Sequence, residues 1–370
     1  MKHVVFALSA VVAAFAIAGD LRAQIAFTSW SLPPGAELFE TTLISNDGLI
    51  YTRTSGGGSR VWLLGEDGVF VAPDVPPGYG SSTLLGINHQ GYGTGSVYDG
   101  SVGTPAVRSP DGSWLTPMPG VSGTAHGVSN AGAVVGFTTM WGPNAAFLHD
   151  PGSGATLIPM PPGASARPAG VGITGHGVVF GTAYVPNGPW TGRSHAFRYT
   201  PESGAVLLDT PPGQASEVAA ANDSGVIVGV VGGLGHNIQP VKWLADGTAE
   251  ELTGIAAGFV TAQGINNRGD VVGMGFSAGA RAVLWSDDYG AIDLNTLLTA
   301  QQRVHWELRF AFDINDHRQI VGTALYYPDG PTGPAPRVNE LYMLTLPHMP
   351  EPASASMLLL GFTILLRRRA

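Results

Sequence analysis

The 370-residue chain has no cysteine and two lysines, Lys2 and Lys242, and only 12% of its residues are charged. Without cysteine there are no disulfides, thiolate metal sites or cysteine nucleophiles. A net charge of −9 with so few lysines argues against nucleic acid and anionic membrane surfaces as partners. Helical periodicity is nearly absent, residues 294–303 being the one modest candidate. Catalytic signatures are missing as well: no His-Glu-x-x-His, no Gly-x-Ser-x-Gly elbow and no phosphate-cradling loop occurs. No EF-type calcium spacing is present, so neither a metal nor a cofactor is expected.

What the chain has instead is punctuation. Its 53 glycines and 28 prolines exceed a fifth of the residues, and hydrophobic residues supply 44%. That balance fits many short strands joined by tight turns. One ten-residue pattern recurs, clearest at Gly264-Ile265-Asn266-Asn267-Arg268-Gly269-Asp270-Val271-Val272-Gly273. Its position-three residue reads Ser45, Asn88, Ser129, Thr174, Asn222, Asn266 and Asn315 in seven copies. The turn positions 48, 91, 132, 177, 225, 269 and 318 lie 41 to 49 residues apart, the period of a propeller blade. Ser, Thr and Asn all fold their side chains back onto nearby amides, which makes this position turn chemistry. The glycine three residues later suits a left-handed backbone, and Arg318 is the exception.

Within one unit four strand-like runs follow each other, as at 258–265, 270–276, 280–285 and 291–294. Asp67-Gly68, Asp111-Gly112 and Asp246-Gly247 mark the turn between third and fourth runs. The body opens at residue 25 with what reads as a fourth run lacking the first three, and ends at 341–346 lacking a fourth. The expected fold is therefore all-β: a seven-bladed β-propeller of about four strands per blade, closed by the N-terminal strand. A linear solenoid would not need complementary partial units at its ends. With His195-Ala196-Phe197, the pattern over residues 36–346 resembles the HAF-repeat family of exported bacterial proteins. That resemblance implies an extracellular, propeller-like array.

The ends assign an address. Met1-Lys2-His3 and an apolar run over 4–18, followed by small residues, have the layout of a secretory signal peptide cleaved to leave Gly19 or Gln24 first. The expected divisions are a signal peptide at 1–23, a propeller at 24–347 and a tail at 348–370. In that tail Pro350, Glu351 and Pro352 precede an apolar run that begins at Ala353 and ends at Leu366, then Arg367, Arg368 and Arg369. At ~1.5 Å per residue the run spans about 21 Å as a helix, short of a ~30 Å hydrocarbon core, so it suits a transient inner-membrane stop. These three parts resemble the PEP-CTERM sorting signal. The resemblance implies processing by an exosortase near Pro350–Pro352 and a secreted or cell-surface bacterial location, in an organism that builds exopolysaccharide.

The loops between second and third runs (139–144, 184–194, 232–239 and 325–339) occupy one place in each blade and should share a face. They carry Trp141, Tyr184, Trp190, His236, Tyr326 and Tyr327 among Gly, Pro and Asn. Aromatic faces with amides suit sugar rings and their hydroxyls, so extracellular polysaccharide is the candidate ligand. His305-Trp306-Glu307 sets two polar residues on one strand face, and Asp287-Asp288, Asp313, Asp316 and His317 lie near turns, where capping is the expected use. The leading expectation is a non-catalytic binding or matrix protein. The alternative is a polysaccharide-degrading lyase or glycosidase with its site over the propeller channel.

Overall fold

The computed structural model describes residues 25–33, 35–55, 60–65, 67–100, 102–139, 145–160, 164–166, 171–185, 193–233, 236–256, 258–277 and 279–347. Residues 27–345 form one compact unit; residues 1–26 and 346–370 group separately, and only 25–26 and 346–347 of these are described. The expected signal peptide and the sorting tail, Pro350, Glu351, Pro352 and Arg367 to Arg369 included, lie outside the described residues. No helix among the described residues is long and apolar enough to cross a membrane.

The body is a β-propeller of seven blades in a ring, each an antiparallel sheet of four strand positions. Blade 1 runs Leu38–Ile44, Ile50–Ser55, Arg60–Leu64 and Phe70–Val71, and the next five repeat this order. In blade 4 the first position is split between Ser165–Ala166 and Gly172–Ile173. Blade 7 takes three strands from Trp306–Ile314, Gln319–Tyr326 and Val338–Thr345, and its fourth from Ala26–Ser31 at the other end of the chain. Residues 294–303 are not one helix: they hold a 3₁₀ turn, Leu294–Leu297, and the start of a one-turn helix, Gln302–His305.

The repeated motif is the hairpin between first and second strands. In all seven copies the position-three side-chain oxygen accepts the amide four residues on: Leu49, Tyr92, Ala133, Val178, Val226, Asp270 and Gln319. The residue three positions on has positive φ, 80° to 90° for the six glycines and 58° for Arg318. These are three-residue hairpin loops whose last residue is left-handed. The motif's closing glycine has a different cause. The first strand carries a bulge in the six blades where it is continuous. A Cβ on Gly136, Gly229, Gly273 or Gly322 would overlap the carbonyl of Thr124, Glu217, Thr261 or Phe310 opposite that bulge. Only glycine fits there.

The core is distributed between blades. Val228, Val260, Ile265 and Trp285 join blades 5 and 6, while Phe39, Ile44, Ile50, Leu64, Val321 and Leu341 join blade 1 to blade 7. The cluster between blades 1 and 2 is small, Tyr51, Leu63 and Leu84. Burying one such aliphatic or aromatic side chain contributes ~1.5–3 kcal/mol.

Candidate functional site

The first strands face the axis and enclose a channel cavity of about 350 Å³ to which all seven blades contribute. The residue after each motif asparagine, serine or threonine (46, 89, 130, 175, 223, 267, 316) stands at its mouth. Six blade boundaries are bridged by the backbone N–H of this residue: Asn46 to the His89 carbonyl (2.9 Å), Asn130 to that of Gly175 (3.0 Å), Gly175 to Asp223 Oδ1, Asp223 to Asn267 Oδ1 (2.8 Å), Asn267 to Asp316 Oδ1 (2.7 Å) and Asp316 to Asn46 Oδ1 (2.9 Å). At the remaining boundary, Asn88 Nδ2 donates to the Val128 carbonyl at 3.3 Å. Where the motif has asparagine, the amide adds a second reach, from Asn222 to Asn266 O, Asn266 to Asn315 O and Asn315 to Ser45 O. Serine and threonine make the turn without that link.

Across the mouth the side chains meet. Asn267 Nδ2 lies 3.1 Å from Asp223 Oδ2, 3.0 Å from Asp316 Oδ2 and 3.4 Å from His89 Nδ1, and His89 Nδ1 is 3.8 Å from Asp316 Oδ2. Burial pushes the Asp316 carboxyl up, but hydrogen bonds from Asn267 and Asn46 and the nearby His89 outweigh it and hold it below the ordinary carboxylate range. Deeper, Asp313 accepts the N–H of Ile44 (3.0 Å) and of Ile314 (2.9 Å). Burial outweighs these bonds and the His89 charge, and lifts Asp313 to about 6. Burial also lowers His126, which lines the same cavity edge-on to Phe137, to about 4. The capping expected of Asp313 and Asp316 is therefore more than local, since both tie blade 7 to other blades. Asp288 likewise pairs with Arg318, which also holds Asp270 Oδ2 at 2.9 Å.

The repeat columns contain a signal for Asp313 that turn chemistry passes over. Two residues before the motif polar residue the other copies read Leu43, Gly86, Gly127, Gly172, Ala220 and Gly264, and only blade 7 has a carboxyl. Small residues suit this column because the next blade is close; a Cβ on Gly264 would press on Asp313 itself.

At the opposite end of the blade 7 strands is an open cleft of about 360 Å³ lined by Ser29, His305, Trp306, Tyr326 and Glu340. Trp306 and Tyr326 are cross-strand partners with ring centroids 4.6 Å apart, and Phe27 meets Trp306 edge-on at 5.1 Å. Glu340 is buried beside them, with Oε1 accepting from Ser31 Oγ at 2.9 Å. Of the six aromatic and imidazole candidates, Tyr326 lines this cleft. Tyr327 turns to Glu307 and donates to Oε2 at 2.9 Å; burial and that carboxylate raise its pKa. Tyr184 is half-buried within Val179–Val185, and His236 begins His236–Trp243, so neither is on a loop as expected. Gly233 and His236 are cross-strand partners, so the strands pair through most of the stretch that the sequence reading assigns to a loop. Trp141 and Trp190 lie outside the described residues.

Seven antiparallel blades around a polar-mouthed channel define the class, a β-propeller. No protein-family profile matches the chain, and no curated protein matches it. Among solved structures it is similar to a streptogramin B lyase, at 12% identity and a TM-score of 0.52, covering 87% of this chain and 98% of that one. It is also similar to a catalytically inactive virginiamycin B lyase from Staphylococcus aureus solved with quinupristin, at 10% identity and TM-score 0.50, covering 88% and 100%. At such identities the likeness concerns the fold alone.

Proposed function

We propose that this chain is an exported, surface-sorted propeller that binds a neutral polysaccharide of the extracellular matrix through the cleft at Trp306 and Tyr326, without catalysis. The observation that carries this is the cleft's make-up: two paired aromatic faces beside a carboxylate with one oxygen taken by Ser31. Aromatic faces stack on sugar C–H surfaces, and the free carboxylate oxygen accepts from hydroxyls. The HAF-like repeats and the PEP-CTERM-like tail support export and exosortase processing. The alternative, a lyase or glycosidase over the channel, has one point in its favour, the convergence of His89 and Asp316. Hydrogen bonds from Asn46 and Asn267 hold the Asp316 carboxyl below the ordinary carboxylate range, which unfits it as the proton donor a glycosidase needs. A glycan array with parallel measurement of released reducing ends and unsaturated products tests the proposal. Oligosaccharides retained by the wild type and lost at least tenfold with Trp306→Ala, with no product released, are the expected outcome. Product release abolished by Asp316→Asn would overturn it in favour of the enzyme.

A further inference from the structure

Three cavities share walls between the axis and the outer rim. The channel cavity and a small one of about 70 Å³ are both bounded by Leu43, Leu85 and Gly86. The small cavity and an outer groove of about 430 Å³ are both bounded by Arg53, Val61, Leu84 and Leu85. They lie along the boundary of blades 1 and 2, where the shared core is reduced to Tyr51, Leu63 and Leu84. The groove is walled by Trp62, Tyr98, Pro73 and Val75. Of the eleven exposed large hydrophobic side chains among the described residues, six (Val69, Val71, Val75, Leu85, Val102 and Leu115) fall within residues 69–115 of blades 1 and 2, and two of these, Val75 and Leu85, line the groove.

The two ends of this path differ in chemistry. At the outer end the cation among the described lining residues, Arg53, is ion-paired with Glu40 at 2.6 Å. At the inner end no Lys or Arg lines the cavity among the described residues, whereas Asp313, Asp223 and Gln263 do. Gln263 spends its amide nitrogen on Thr261 Oγ1, so its oxygen is available. Of the two arginines of the mouth turns, Arg268 donates to the Asp316 carbonyl and Arg318 to Asp270 and Asp288. We propose that the crevice between blades 1 and 2 and the channel behind it form one binding site for a primary alkylamine. Its apolar chain lies along Leu84, Leu85 and Trp62, and its ammonium lies among the acceptors Asp313, Asp223 and Gln263. Burying an apolar chain contributes ~0.8 kcal/mol per methylene, and an ammonium entering this cavity meets carboxylates that have no Lys or Arg partner among the described residues. The site is independent of the sugar cleft.

Charge state follows from the groups around the ammonium. Asp313 is half-protonated near pH 6 and faces His89, with Asp316 and Asp223 at the same mouth. Amine binding tightens as the pH rises from 5 to 7.5, because Asp313 loses its proton over that range. The test is calorimetric titration of the full chain with octylamine, octanoate and octanol at pH 7.5, each below its aggregation range. Octylamine should bind at least tenfold more tightly than octanoate. Asp313→Asn should weaken octylamine at least tenfold and leave octanol unchanged. Leu85→Trp, at a partly exposed position, should block octylamine and octanol alike, and Trp306→Ala should block neither. Circular dichroism establishes that each variant is folded. Equal binding of octanoate, retention of octylamine by Leu85→Trp, or no binding of octylamine at all overturns the proposal.

Discussion

Arg318 decides between two opposed effects at a single position. It is the only non-glycine residue among those described with positive φ, a conformation that costs about 1–2 kcal/mol. Its guanidinium is buried, pairs with Asp270 and Asp288, and lies 5.7 Å from the Tyr289 ring centroid. Removing one partner of a buried ion pair costs about 3–5 kcal/mol. The second effect is larger, so Arg318→Gly is expected to destabilise by about 1–4 kcal/mol in urea unfolding, despite restoring the glycine of the other six copies. A stabilised variant would show that strain dominates. Asp313 gives a pH signature. Its carboxyl is raised in the folded protein from an ordinary value near 4 to about 6, so the folded state binds the proton more tightly. That contribution is full below pH 4 and is lost as the pH climbs through 6. Wild-type stability should therefore fall, relative to Asp313→Asn, between pH 4 and 6.5. Parallel curves for the two proteins would remove Asp313 as the cause.

At the scale of the strand, Ala26–Ser31 covers an edge. We propose that it fastens the last blade, contributing Phe27 to the Trp306 and Tyr342 rings and Ser31 to Glu340. Deleting residues 26–31 should lower the melting temperature and produce concentration-dependent association, because Val338–Thr345 would become an open edge. A monomer that melts unchanged would assign closure to the hydrophobic and polar contacts of blades 1 and 7 alone. Elements were the most legible part of the chain. The Ile-Asn turns fall at all seven first hairpins, and the runs expected in the sixth unit agree with Phe259–Ile265, Val271–Phe276, Ala280–Ser286 and Gly290–Asp293 to within a residue or so. Loop ends were misjudged where strands continue through polar or glycine-rich sequence, at Tyr184 and His236. Asp313 and Asp316 looked like local caps because spacing along the chain carries no sign of a partner such as Ile44 or Asn46, some 270 residues away. The cleft at Trp306 is half visible in the sequence: Tyr326 stands out as an aromatic where a loop is expected, but it closes the strand Gln319–Tyr326, and its pairing with Trp306 depends on a strand register that two bulges shift.

For the whole molecule, the distribution of apolar clusters between neighbouring blades makes each blade dependent on the next. Unfolding monitored by tryptophan fluorescence and by far-ultraviolet circular dichroism should give coincident transitions. Separate midpoints would mean that a subset of blades stands alone. The link between Asn46 and Asp316 bears on how such a molecule comes to be made. The first blade is synthesised earliest, yet the partners of Ile44 and Asn46 lie some 270 residues downstream. Pairings so distant in the chain are slow to form, and an arc of six finished blades would wait with two bare flanks until the seventh arrives. Delivery of the chain must therefore outpace self-association of the waiting arc, and exposure of that arc is the moment when a helper protein would be most useful to it.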